Sequence, residues 1–180
     1  MLGMAPHSLR AVSQEALKEI LDSRQLEPVH IHISEQQKEV EDFQNNYGKR
    51  PVNWLIDNVN VDSRWCLVHS THMHPEEIDK LAKSGAVAGL CPVTEANLGD
   101  GIFNGSKYIS SGGKYGIGTD SNISISLTDE LRMLEYMQRL YNKERNVMTN
   151  SSGSVGESLY KSTLVGGNQA LSRNSGTIVS

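Results

Sequence analysis

Residues 29–36 read VHIHISEQ, and the reading of this run decides the fold. Val29, Ile31 and Ile33 alternate with His30 and His32 at the two-residue period of a strand, so the two histidines share one face and the isoleucines the other. Residues 29–34 carry no acidic, lysine or arginine side chain, as expected of a strand buried on both faces. Glu35 falls just past its C-terminal end. The run alone leaves open whether the histidines bind a metal, bond to each other, or simply fill a core.

Three further runs of the same kind follow: RWCLVHS (64–70), AVAGLCP (86–92) and KYGIGTDS (114–121). Helices separate them. Ser13 is a candidate N-cap, Val12 can pack on Leu17, and Ala16, Leu17, Ile20 and Leu21 make one apolar face that ends near Arg24. Val40, Phe43 and Tyr47 form a second face, stopped by Gly48, and Pro51 opens a short helix. Pro75 opens PEEIDKLAKS, which ends at Gly85. The glycine-rich segment 97–113 reads either as loop or as weak helix; without a GxxxxGK[ST] pattern it is no phosphate cradle. Ser126 and Asp129 resemble a capping box. The helix they open puts Leu127, Leu131, Leu134, Met137 and Tyr141 on one side, expected to face the sheet. A last helix is expected within 154–173, and SGTIVS (175–180) looks like the start of another strand.

Strands that alternate with helices and are buried on both faces indicate a parallel α/β architecture. Four strands plus a stub at Leu2–Ala5 amount to about strands 4–8 of a (β/α)8 TIM barrel, a partial barrel, since the complete fold takes about 250 residues. Residues 1–150 are expected to be barrel, and 151–180 the final helix with the beginning of a return to a small β-sandwich.

The chain has 180 residues, 37% of them hydrophobic, with a net charge of -4 and pI near 5.9. That mild acidity, with no basic stripe, gives no reason to expect a nucleic acid or an anionic membrane as partner. No window reaches the roughly 18 apolar residues of a membrane span. MLGMAPHSLR lacks the features of a signal peptide. Cys66 and Cys91, single cysteines in apolar runs, read as reduced core residues, so a cytoplasmic setting is expected.

The chemistry gathers at the C-terminal ends of the strands, where barrel enzymes build their active sites. His32 with Glu35, then His69, then Asp120 arrive there from three different strands. A lone histidine ending a strand is more often a hydrogen-bonded rim residue, and an aspartate before Ser-Asn more often a turn cap. Three equivalent positions filled together favour a site. His30 is expected one layer deeper, in the core. His72 and His74 are expected in the loop before Pro75, with His72 nearer the site.

HISE (32–35 with its preceding strand), LVHS (67–70) and GTDS (118–121), in this order, resemble the metal-dependent hydrolases of the amidohydrolase superfamily, in particular its deaminase branch. APHSLRAVS (5–13), SGAVAGLCPVTEANLGDGIF (84–103), GIGTDSNISISLTDELRMLEYMQRL (116–140) and GGNQAL (166–171) narrow the resemblance to the formimidoylglutamate deiminase family. The resemblance implies one zinc ion held by His32 and Asp120, and catalytic roles for Glu35, His69 and Asp120. Asp120 would take a proton from water, His69 would orient the nucleophile, and Glu35 would carry a proton to the departing imine nitrogen. The implied reaction converts N-formimidoyl-L-glutamate to N-formyl-L-glutamate and ammonia in histidine degradation.

His7 and Arg10 are the implied substrate-binding residues, since an arginine holds a carboxylate by two parallel bonds; without the resemblance, the favoured reading of Arg10 is a helix cap or one half of a surface pair. A homodimer is expected from the resemblance alone. The family's two further histidine ligands, an HxH at the end of its first strand, have no counterpart before Met1. The chain is therefore expected to be the C-terminal portion of a larger enzyme and inactive alone. A guanine- or cytosine-like nucleobase deaminase, and a non-catalytic remnant packed on a partner, are the alternatives.

Overall fold

The computed structural model describes residues 2–23, 27–149 and 153–176. Strands β1 (Val29–Ile33), β2 (Trp65–His69), β3 (Val87–Leu90) and β4 (Lys114–Ile117) form one parallel sheet in the order β1-β2-β3-β4. Neighbours in space are neighbours in sequence, joined by helical crossovers, which is an arc of a (β/α)8 barrel. The expected stub is present as two parallel bridges, Met4 to Val29 and Ser8 to His32, so it runs further than Ala5.

Register assigns the two faces. His30 lies opposite Cys66, His32 opposite Val68, and Val68 opposite Gly89, so the histidines share their face with small and apolar residues. The other face carries Ile31, Ile33, Trp65, Leu67, Leu90 and Tyr115, all buried under the helices. Helices α1 (Gln14–Ser23), α2 (Gln37–Tyr47), α3 (Pro51–Asn58) and α4 (Pro75–Ser84) supply Leu17, Phe43, Val52, Leu55, Ile78 and Leu81 to this layer. Each such side chain contributes about 1.5–3 kcal/mol of transfer free energy. Gly48 and Gly85 end α2 and α4 in left-handed backbone, at φ 69° and 78°.

The glycine-rich segment is both things its sequence allows. Helix α5 (Pro92–Leu98) precedes a loop, and α6 (Gly105–Ser110) follows it. In α7 (Leu127–Asn142), Leu131, Leu134 and Met137 are buried as expected, but Leu127 and Tyr141 are 44% and 58% exposed. Glu130, Glu135 and Gln138 take part in the buried face instead. Their side chains terminate loose backbone: Glu130 accepts from Val93 N–H at 2.8 Å, and Gln138 accepts from Gly105 N–H at 3.0 Å while donating to the Phe103 carbonyl at 2.7 Å.

Helix α8 (Val155–Ala170) packs on β4 and β3. Its C-terminal end closes the sheet at the edge away from the histidine rim. Gln169 donates to the carbonyls of Ser63 and Gly85, which precede β2 and β3, at 2.9 and 2.7 Å. The His30 ring bonds the Ala170 carbonyl through Nε2 at 2.8 Å, which puts it a layer below His32. Of the expected strand start within 175–180, residues 177–180 lie outside the described residues, as does the helix end at Arg24. Among the described residues, no helix is long and apolar enough to cross a membrane.

Candidate active site

The ends of the strands are conformationally strained. Ser34, His69, Ser70 and Asp120 have φ of 51°, 69°, 52° and 48°, the left-handed region that costs a non-glycine residue about 1–2 kcal/mol. Such strain persists only where surrounding bonds over-determine the backbone. Here Ser70 N–H donates to the Ile33 carbonyl at 3.0 Å and His72 N–H to the Ser34 carbonyl at 2.9 Å, sewing the end of β2 to that of β1. The turn carrying Asp120 is held by Thr94 Oγ1, which donates to the Thr119 carbonyl at 2.9 Å, and by Asn122, which bonds the same carbonyl and Glu130 Oε1. Burial raises the Glu130 pKa above the ordinary carboxylate value against the pull of its Val93 and Asn122 bonds.

His69 is the centre of the cluster and is 1% exposed. Its Nδ1 lies 3.2 Å from Glu95 Oε1; its Nε2 lies 3.7 Å from Glu35 Oε1 and 3.8 Å from Asp120 Oδ2. Burial pushes its pKa down, but the Glu95 hydrogen bond and the charges of Glu95, Glu35 and Asp120 outweigh that, and the net shift is upward. Glu95 is itself buried and also accepts Cys91 N–H at 2.9 Å, so it cannot turn away from His69 without freeing a backbone donor.

His32 faces the same space, its ring centroid 5.5 Å from that of His69 and 5.0 Å from that of His7. The stub positions it: the His7 carbonyl accepts both His32 N–H and His32 Nδ1, each at 2.8 Å. A protonated Nδ1 fixed this way leaves Nε2 as the free lone pair, the usual arrangement of a metal-binding histidine. His69, Cys91 and Asp120 also offer ligand atoms that all lie within 4.8 Å of one another. Tetrahedral bonds of 2.0–2.3 Å require ligand atoms about 3.3–3.8 Å apart, closer than the 4.8 Å limit within which these three lie. Burial pushes the Cys91 thiol pKa up, against a thiolate donor, whereas the His32 imidazole and the Asp120 carboxylate are donors that suit zinc, and these two residues fit such an ion.

All six residues singled out from the sequence stand at this rim. His7 Nδ1 bonds Ser8 Oγ at 3.0 Å, and Arg10 donates to Glu35 at 3.3 Å. His72 and His74 are tied elsewhere: His72 Nε2 bonds the Asp100 carbonyl at 2.6 Å, and His74 caps α4, its N–H donating to buried Glu77. Sequence reasoning missed Glu39 and Glu95, while Cys91 is buried and reduced as expected. The first-turn acid after Pro92 in CPVTE looks like an ordinary helix-start carboxylate; only the sheet register brings it to His69.

The amidohydrolase family profile matches residues 1–178. The chain is 51% identical over 98% of its length to a formimidoylglutamate deiminase of Pseudomonas aeruginosa, and covers 40% of that protein. It is 33% identical over 71% of its length to a 5-methylthioadenosine/S-adenosylhomocysteine deaminase of Haloquadratum walsbyi, covering 30% of it. A crystal structure of an amidohydrolase from Brucella melitensis superposes with TM-score 0.94 and 55% identity, over 96% of this chain and 39% of that one. The chain thus spans about two fifths of the length of the Pseudomonas aeruginosa and Brucella melitensis proteins.

Proposed function

The chain belongs to the amidohydrolase family, and from that premise we propose that it forms the C-terminal barrel portion of a zinc-dependent formimidoylglutamate deiminase. The observation that carries this reading is the 51% identity over 98% of the chain. The reaction is hydrolysis of N-formimidoyl-L-glutamate: the water oxygen bonds to the formimidoyl carbon, the carbon–nitrogen bond to the imine nitrogen breaks, and N-formyl-L-glutamate and ammonia leave.

His32 and Asp120 are the zinc ligands from this chain in this reading. The bound ion would supply positive charge and would lower the pKa of a water it binds to about 7. Asp120 takes a proton from the attacking water. His69, locked by Glu95 at Nδ1, directs Nε2 at the nucleophile and steadies the charge that develops. Glu35, 3.7 Å from that nitrogen, moves a proton to the departing nitrogen. A positioned acid or base is worth about 10²–10⁴-fold in rate. His7 and Arg10 hold the substrate's carboxylates, Arg10 through its two-pronged guanidinium. Free, buried Cys66 and Cys91 support a reducing, cytoplasmic setting, and a homodimer is part of the same reading.

The relative from Haloquadratum walsbyi favours a second reading, deamination of a purine nucleoside on the same rim. Ammonia release by the full-length protein that contains this chain distinguishes them. N-formimidoyl-L-glutamate is expected to turn over at least about 10²-fold faster than S-adenosylhomocysteine, guanine or cytosine. Comparable turnover of any purine or pyrimidine defeats the substrate assignment.

A further inference from the structure

The guanidinium assigned to the substrate is already bonded to the proton carrier. Arg10 Nη2 donates to Glu35 Oε2 at 3.3 Å, and Arg10 Nε lies 3.8 Å from Glu39 Oε1. The two glutamates differ in how firmly they are held. Glu39 is 2% exposed, and its other oxygen accepts Glu35 N–H at 2.9 Å, so it is built into the start of α2. Glu35 is 14% exposed and Arg10 41%, with the solvent side of the pair on the arginine. Glu35 is therefore shared, one oxygen facing His69 and the other occupied by Arg10.

An oxygen that accepts from a guanidinium has no proton to give along that line. The Arg10 pairing thus keeps the Oε2 side of Glu35 out of the proton transfer. A carboxylate entering the rim offers Arg10 two parallel charge-assisted bonds in place of one long bond and one loose contact. Glu39 stays behind to hold the Glu35 backbone while the arginine swings.

Resting on the deiminase reading above, we propose that Arg10 is a carboxylate-operated latch on Glu35: a substrate carboxylate draws Arg10 away and so releases the proton carrier. Arg10 then sets specificity in kcat as well as in KM. A formimidoyl compound without a carboxylate binds but leaves the latch closed. Because the pair is partly exposed, the latch restrains catalysis by about two- to fivefold.

The test uses the full-length protein with two substrates, N-formimidoyl-L-glutamate and N-formimidoylbutylamine, the latter lacking both carboxylates. Arg10→Met, which keeps the stem and drops the charge, is expected to cut kcat/KM for the glutamate compound by at least tenfold. On the butylamine compound the same variant is expected to raise kcat two- to fivefold. Arg10→Lys, which keeps a cation beside Glu35, is expected to raise kcat on the amine less than Arg10→Met does. A fall in both substrates marks Arg10 as structural, and no change on the amine marks it as a clamp alone; either result overturns the latch. If the wild-type protein does not hydrolyse N-formimidoyl-L-glutamate, the deiminase reading fails first and the latch with it.

Discussion

At the scale of single residues, the site depends on a carboxylate that no motif announces. Glu95 fixes His69 Nδ1 and caps Cys91 N–H with the same oxygen. Replacing it by glutamine preserves an acceptor for both bonds and removes the charge. We expect Glu95→Gln to fold with a near-normal Tm, to keep KM within about twofold, and to lose about 10–100-fold in kcat, the usual effect of removing a supporting partner behind a site residue. Steady-state ammonia release measures this, and an unchanged kcat would show that Glu95 only caps a helix. His32, Glu35, His69 and Asp120 were legible because each follows a recognisable apolar run, and strand ends are where a barrel puts its chemistry. Glu95 and Glu39 were not, because what distinguishes them from surface acids is burial against other elements.

At the scale of elements, strands and helix stops were readable from period and punctuation, but the inner face of α7 was only partly so. Leu131, Leu134 and Met137 follow the apolar stripe, whereas Glu130, Glu135 and Gln138 are buried because neighbouring loops present unpaired backbone groups to them. A hydrophobic pattern cannot register that need. The packing of α8 was likewise hidden in a single glycine, Gly166. A Cβ on Gly166 would lie 1.9 Å from the Tyr115 carbonyl oxygen, so only glycine permits the helix to approach β4 this closely. Gly166→Ala is expected to push α8 off the strand and to destabilise the fold by about 1–3 kcal/mol or more, as overpacking does. Urea denaturation reads this directly; a change below about 0.5 kcal/mol would mean that α8 is not pressed on β4.

At the scale of the whole molecule, the sheet order, the crossovers and the strained strand ends converge on one rim, and α8 braces the opposite end of the same sheet. The stub joins this frame through Met4 and Ser8, which brings His7 and Arg10 to the rim and lets the His7 carbonyl orient His32. The arrangement explains why residues from four separate segments meet: each is delivered by a parallel strand running in the same direction. In the proposed reading this rim performs hydrolytic deimination with Asp120 as both metal ligand and base. Its most direct measurement is ammonia release from N-formimidoyl-L-glutamate by full-length protein carrying Asp120→Asn. The account predicts a loss of at least about 10²-fold with the fold retained; a rate close to that of the wild type would contradict it.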